Sequence, residues 1–505
     1  MNNIAGETAA EVRSLLTSAA QKAIADGVLK DEPLPDFTIE TPADTTHGDY
    51  AANLAMVGAR TFGMAPRQIA QALCDRLELE GSFFERWEIA GPGFINFFVN
   101  KQWFCRIVQN ILEAGDRYGR SDFGRGKRIM VEFVSANPTG PMHIGNARGG
   151  AIGDCLAAAL DWAGYEVSRE FYVNDAGNQI QRFALSLEAR YLQIYKGEDA
   201  VEFPEDGYHG QDIKDHAAAF ANLEGDRFVE SDPETRQKAL VDFALPKNIT
   251  KMQADLTAYR ITYDHWFMES KLHNDGSLAD TLQRLTERGM TYEKDGALWY
   301  KATQMGGEKD EVLVRANGIP TYFAADIAYH YNKLAVRGYD HAINVWGADH
   351  HGHVARLQGA LDAVGLSGRM RDIVLMQLVR LMRDGVPVKM SKRTGQAITL
   401  ADLIEEVPVD AARFFFNMRE PNSTLDFDLD LAAQQSAQNP VYYVQYAHAR
   451  ICSILKNMAA EGVAPRACTA DELTLMNQAE EIELIRRLGQ LPGEIIDAAQ
   501  SYDPA

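Results

Sequence analysis

One stretch constrains the fold of this chain more than any other: residues 131–154, VEFVSANPTGPMHIGNARGGAIGD. It opens within an apolar run, residues 129–134, that reads as a buried strand. Polar and turn residues follow from Ser135 to Pro141, and then His143-Ile144-Gly145-Asn146. A helix of small residues is expected over 147–162, stopped by Gly164. A second β-type run at 166–173 completes a strand–loop–helix–strand unit, a βαβ crossover with its chemistry on the first loop.

That loop has a legible purpose. A helix start presents unpaired N–H groups and a partial positive charge, which suits a phosphate. Gly145, Gly149 and Gly150 allow a neighbouring group to approach the backbone closely. His143 and Asn146 are three apart and face the same way at a helix start. The plain alternative is a glycine-rich helix start packed for steric reasons, with a satisfied histidine.

Composition excludes some classes. A chain of 505 residues is long enough for several domains. No apolar run reaches spanning length and the N-terminus has no signal-peptide pattern, so no membrane association is expected. Five scattered cysteines fit a reducing, cytoplasmic setting. A net charge of −21 argues against a non-specific nucleic-acid binder but leaves room for local basic surface. Residues 369–393 supply such a stretch, with seven Lys/Arg against two Asp.

Around this centre, residues 1–112 read as an α+β domain. Val12, Leu15, Leu16, Ala19 and Ala23 lie at helical spacing, and residues 87–100 read as two strands broken by Gly91-Pro92-Gly93. Residues 195–245 are acidic, loop-rich and poor in large apolar residues, a surface insertion. Residues 261–264 and 297–300 read as strands. Tyr322 and Asp326 are four apart and share a face at a helix start; a buried carboxylate beside a tyrosine suits a guanidinium, with local capping by Asp326 as the alternative. The cluster NVWGADHHGH at 344–353 holds three His and an Asp, but adjacent His and an intervening Gly converge poorly, so no metal is expected there. Lys389 and Lys392, in a glycine-bounded loop, suit a polyphosphate; a solvated basic loop is the alternative. From 401 the chain reads as helical. The expected helices are one from 410, one over 439–455 with Val444, Ala447, Ile451 and Ile454 on one stripe, one over 471–488, and a short one over 492–500. Asp503-Pro504 reads as a further helix start, so the chain is expected to continue past Ala505, with Leu484, Leu488, Ile495 and Ile496 short of packing.

The 132–146 segment resembles the signature region of class I aminoacyl-tRNA synthetases, named for the tetrapeptide His-Ile-Gly-His. The flanking Glu-Phe-Val-Ser-Ala-Asn-Pro-Thr-Gly-Pro is similar to the arginyl members of that class. Asn146 stands in place of the second His; it can donate to a phosphate or ribose but carries no charge. Lys389-Met390-Ser391-Lys392 resembles the second class I signature, with Arg393 where Ser is usual. Gly347-Ala348-Asp349-His350 resembles the strand-end motif lining the adenosine and amino-acid pocket. Gly48-Asp49-Tyr50 and residues 91–96 resemble the arginyl family's N-terminal domain.

The resemblance implies an α/β fold. A Rossmann-like catalytic domain over 126–400 lies between an N-terminal α+β domain that meets the tRNA elbow and an all-α anticodon-binding domain over 401–505. It implies an arginine–tRNA ligase that uses ATP with Mg2+ and acts as a monomer on L-arginine and tRNA. His143, Asn146, Lys389 and Lys392 would stabilise phosphate charge. Gly145, Gly347, Asp349, His350, Met390 and Ser391 would hold ATP, and Glu132, Ser135, Asn137, Tyr322 and Asp326 would hold arginine. Two other classes compete: a small-substrate adenylyltransferase of the same superfamily, disfavoured by the N- and C-terminal appendages, and a catalytically silent RNA-binding relative, disfavoured by the retained His143, Lys389 and Lys392.

Overall fold

A computed structural model describes residues 3–368, 370–388 and 398–505. Lys389, Met390, Ser391 and Lys392, assigned above to phosphate and ATP, lie outside the described residues. The chain divides into two compact units: residues 1–123 with 461–497, and residues 124–460 with 498–505.

The larger unit is organised by five parallel strands. In chain order these are β1 (Arg128–Glu132), β2 (Glu166–Val173), β3 (His265–Met268), β4 (His341–Gly347) and β5 (Met370–Met376). Their spatial order is β5-β4-β1-β2-β3, all pairs parallel. The order reverses between β1 and β4, and a crevice opens at the carboxyl ends of strands at such a switch point. Ile129, Met130 and Val131 are buried to 2% exposure or less, as a central strand covered on both faces requires.

Helix α1 (Ile144–Trp162) crosses from β1 to β2. Two of its glycines serve packing. A Cβ at Gly153 would fall 2.2 Å from the Phe133 ring, and one at Gly150 would fall 2.7 Å from Ile261 Cδ1. The expectation that Gly149 and Gly150 open the backbone to a ligand is therefore corrected for Gly150, which is buried against Ile261; Gly149, though buried, borders the cavity at the start of the helix, with only ordinary contact to Met376. Gly164, with φ 91°, ends the helix in the left-handed region.

The insertion is a second correction. It is helical: α2 (Asn178–Lys196), α3 (Gln211–Glu224) and α4 (Pro233–Ala258) enclose their own core of Phe183, Leu187, Tyr191, Ile213, Phe220 and Leu240. The acidic surface masked an interior of alanines and a few aromatics, while α2 supplies most of the bulk. Residues 261–263 carry no strand; the strand is β3, starting at His265. Further on come α5 (Tyr322–Tyr331) and α6 (His351–Leu361).

Arg371, Arg380 and Arg383 of the basic stretch are spoken for. They pair with Asp362, Asp426 and Glu406 respectively, which offsets their positive charge, although the Arg380 side chain stays exposed. Strand Leu425–Asp428 pairs in parallel with Val379–Arg383, so the helical tail proper starts at Leu429. The stripe on helix Pro440–Ala460 is exposed, with Val444, Ile451 and Ile454 at 55%, 58% and 50%.

In the smaller unit, helix Ile4–Ala25 buries Val12, Leu16, Ala19 and Ala23 in a core shared with a four-stranded antiparallel sheet, whose strands Phe84–Ala90 and Phe94–Val99 flank Gly91-Pro92-Gly93. Asp49 accepts from the Val99 N–H and pairs with Arg486 at 2.8 Å. The helix expected over 471–488 is broken into Ala470–Leu473 and Ala479–Ser501, and the second of these runs on through Pro492. A proline inside a helix frees the carbonyl four residues back. Here that carbonyl belongs to Leu488, and the Tyr118 hydroxyl donates to it at 2.7 Å, which explains why the helix does not end.

Candidate active site

The β1–β4 switch point opens into two adjoining cavities. One, of 760 Å³, is walled by Glu132, Ser135, Asn137, Tyr322, Asp326 and His353, among others. The other, of 970 Å³, is walled by Thr139, His143, Gly145, Asn146, Met376 and Tyr208, among others. Ser135, Asn137, Gln179, Gly347, Asp349 and His350 border both. All the described residues assigned from sequence to arginine, ATP or phosphate thus come to one crevice.

The turn leaving β1 is strained. Val134 has φ 72° and Ser135 φ 39°, a conformation that a β-branched residue rarely adopts. Its neighbours pay for it: Ser135 Oγ donates to Glu132 Oε1 at 2.8 Å and accepts from the Tyr172 N–H at 3.2 Å. Ser135 therefore shapes the wall, with its hydroxyl already engaged. Glu132 is 5% exposed and forms an ion pair with Lys333 at 2.5 Å.

At the start of α1, His143 and Asn146 hold each other across one turn. His143 Nδ1 accepts from the Gly145 N–H at 3.1 Å, and Asn146 Oδ1 accepts from the His143 N–H at 3.0 Å. This is a reciprocal cap. Desolvation pushes the His143 pKa down, which keeps the ring neutral. With Nδ1 accepting, the proton sits on Nε2, leaving one imidazole donor and the Asn146 amide nitrogen for a ligand. Thr399 forms a β-bridge with His143, and the Leu400 N–H donates to the Met142 carbonyl at 2.8 Å. The chain thus rejoins the first signature just after the second one.

At the opposite wall, Tyr322 and Asp326 lie one turn apart on α5, both facing the 760 Å³ cavity. The expectation of a buried carboxylate is corrected: the Asp326 side chain is 30% exposed and Tyr322 is 40% exposed, because both form the cavity rim. His353 Nε2 lies 2.8 Å from Asp326 Oδ2. His353 Nδ1 accepts from Arg356 at 3.1 Å, and Arg356 in turn pairs with Glu311. Asp349 and His350 are exposed at the shared border, 3.7 Å apart.

Glu269 was missed. It follows β3 directly, is 3% exposed and lines a 340 Å³ cavity that shares Tyr322 with the larger one. Burial foremost, with Asp326 nearby acting the same way, raises its pKa. In the orientation its neighbours demand, the Asn174 amide donates to Glu269 Oε2 at 2.9 Å. The signal was available, since a carboxylate at the end of a strand in a doubly wound sheet sits where ligands bind. Among the described residues no group of three or more His, Cys, Asp or Glu side chains converges as a metal site, and no helix is long and apolar enough to cross a membrane.

Comparison with known proteins defines the class first. Residues 107–454 match the catalytic domain of class I tRNA synthetases of the R type, which uses ATP. Residues 10–99 match the arginyl-tRNA synthetase N-terminal domain, and residues 444–505 match the DALR anticodon-binding domain. The chain is 54% identical to the arginine–tRNA ligase of Caldanaerobacter subterraneus over 504 residues, covering 100% of this chain and 89% of that protein. It is 51% identical to that of Ruminiclostridium cellulolyticum over 505 residues, covering 100% and 90%. The Thermus thermophilus arginyl-tRNA synthetase shares the fold, with a TM-score of 0.70 at 23% identity, over 97% of this chain and 88% of that one. The chain belongs to the arginyl-tRNA synthetase family.

Proposed function

We propose that this chain joins L-arginine to ATP, forming arginyl-adenylate and pyrophosphate, and then passes the arginyl group to a ribose hydroxyl of the 3′-terminal adenosine of its tRNA, releasing AMP. The observation that carries this reading is the pair of cavities meeting at one switch point. One is walled by the carboxylates Glu132 and Asp326, the other by the capped start of α1.

The arginine carboxylate attacks the α-phosphate directly, so the protein need supply no covalent nucleophile, only alignment and relief of phosphate charge. Asp326, beside Tyr322, takes the guanidinium, and Glu269 adds a second negative charge on that side. Glu132 and Asn137 take the other end of the amino acid. The Nε2–H of His143 and the amide of Asn146 donate to phosphate oxygens, aided by Lys389 and Lys392. Gly145, Gly347, Asp349 and His350, together with Met390 and Ser391, take ATP. Mg2+ accompanies ATP as the counter-ion of its phosphates. Residues 1–112 meet the tRNA elbow and residues 401–505 the anticodon, with the protein working as a cytoplasmic monomer.

The test is aminoacylation of unfractionated tRNA with each amino acid offered separately. Charging confined to arginine is expected. Charging with another amino acid, or adenylation of a small acceptor without tRNA, would replace this reading.

A further inference from the structure

Glu132 and Asp326 stand on different elements, β1 and α5, far apart in sequence. A line of hydrogen bonds runs from the Glu132 carboxylate to the backbone carbonyl of Asp326. Lys333 lies on the π-helical turn Asn332–Val336 that continues α5, and it is fully buried. Its ammonium donates to Glu132 Oε2 at 2.5 Å and to Asn344 Oδ1 at 3.2 Å, and sits 4.0 Å from the centre of the Tyr329 ring. With its oxygen engaged, the Asn344 amide has only its nitrogen left, 2.7 Å from His330 Nε2. Nε2 must therefore accept. The ring proton is then on Nδ1, which donates to the Asp326 carbonyl at 2.8 Å. Burial first, and the Lys333 charge second, hold the His330 pKa well below the ordinary imidazole range, as this neutral arrangement requires.

The line has a single self-consistent direction: Lys333 to Glu132 and to Asn344, Asn344 to His330, His330 to the turn that carries Asp326. A buried ion pair is weak evidence for stability, since an apolar pair of similar volume commonly does as well. A lysine kept under the floor of a polar cavity, with every neighbour arranged to suit it, points instead to what it holds in place. We propose that Lys333, Asn344 and His330 are positioning residues. They fix the span and orientation of the two acidic walls of the arginine pocket and so contribute to selection of arginine. This rests on the reading of the 760 Å³ cavity as the arginine site.

The test uses the full chain with Lys333→Met, which removes the charge that holds Glu132. It adds Asn344→Leu, which breaks the line but leaves the Glu132–Lys333 pair, and Glu132→Gln as the reference. Aminoacylation is followed with arginine and ATP varied in turn, alongside thermal unfolding. Lys333→Met is expected to raise the arginine KM about ten- to a hundredfold, the scale on which orienting partners act. Asn344→Leu should raise it less, with the ATP KM and kcat at saturating arginine retained in both. If Lys333→Met does not fold, Asn344→Leu carries the test. A fall in kcat together with a rise in both KM values, tracking the loss of melting temperature, would make the line a structural brace and overturn the proposal. Unchanged arginine KM in both Lys333→Met and Asn344→Leu, with Glu132→Gln impaired, would overturn it alone. Unchanged arginine KM in Glu132→Gln would overturn the assignment of the cavity and this inference with it.

Discussion

The two ends of the central crevice are built on different plans. At the end proposed to take the amino acid, each acid is held by side chains from elsewhere. Asp326 leans on His353, then Arg356, then Glu311, while Glu132 leans on Lys333 and Ser135. At the end proposed to take phosphate, His143 and Asn146 lean mainly on one another and on main-chain N–H groups of a single helix turn. The contrast suits the ligands proposed for the two ends. A guanidinium is recognised by fixed, paired geometry, whereas a polyphosphate needs donors and field, which a helix start provides from its backbone. The amino-acid end should therefore fail by losing affinity and the phosphate end by losing rate.

The largest effect is expected at the phosphate end. His143→Ala should slow adenylate formation by about a hundred- to a thousandfold, the usual result of deleting one preorganised donor to developing charge. Arginine affinity should hold. Rapid-quench kinetics at near-normal rate would remove His143 from the chemistry and erase the contrast. At the other end, Asp326→Asn keeps the size but loses the charge. It should weaken arginine binding by roughly 2 kcal/mol, the low end for a charge pair, because the side chain is 30% exposed. Calorimetry should show ATP affinity unchanged, and a loss shared by both ligands would break the division of labour.

A smaller effect separates the two roles of Asn146. Asn146→Ala removes one bond of the reciprocal cap and should cost about 1 kcal/mol of stability, measured by denaturant unfolding. If the rate of activation falls in the same variant while stability holds, Asn146 acts on phosphate rather than on the helix. The smallest effect is a proton linkage at the amino-acid end. Burial raises the Glu269 pKa above 4.5 in the free protein, and a guanidinium nearby favours the ionised form. Arginine binding should then release protons, and affinity should rise with pH from about 4.5 until Glu269 is ionised in the free protein too. Calorimetry in buffers of differing ionisation heat measures the release; proton uptake, or none across that window, would place the guanidinium away from Glu269.

Much of the candidate site was legible because its parts are local. The strand at 128–132, the helix start at His143 and the strand end at Gly347 each carry their signal within a few residues, where periodicity, capping chemistry and glycine placement act. The insertion was misread because an acidic surface dominates its composition, whereas its fold depends on Phe183, Leu187 and Tyr191 of a helix that precedes it. Pro492 was read as a helix start because proline normally breaks a helix; the compensating Tyr118 hydroxyl comes from another part of the chain.

What the sequence by itself determined was the order of the elements and the chemistry each brings to its own strand end or helix start, since those depend on neighbours three or four residues away. Only the tertiary structure decided which charges meet. Lys333 carries no sequence signal, and neither Glu132 nor Asn344 names it as a partner. The pairing exists because β1, β4 and the end of α5 pack side by side. A charge buried there must find an opposite charge or a full set of hydrogen bonds, and that requirement is met only once the strands are in register.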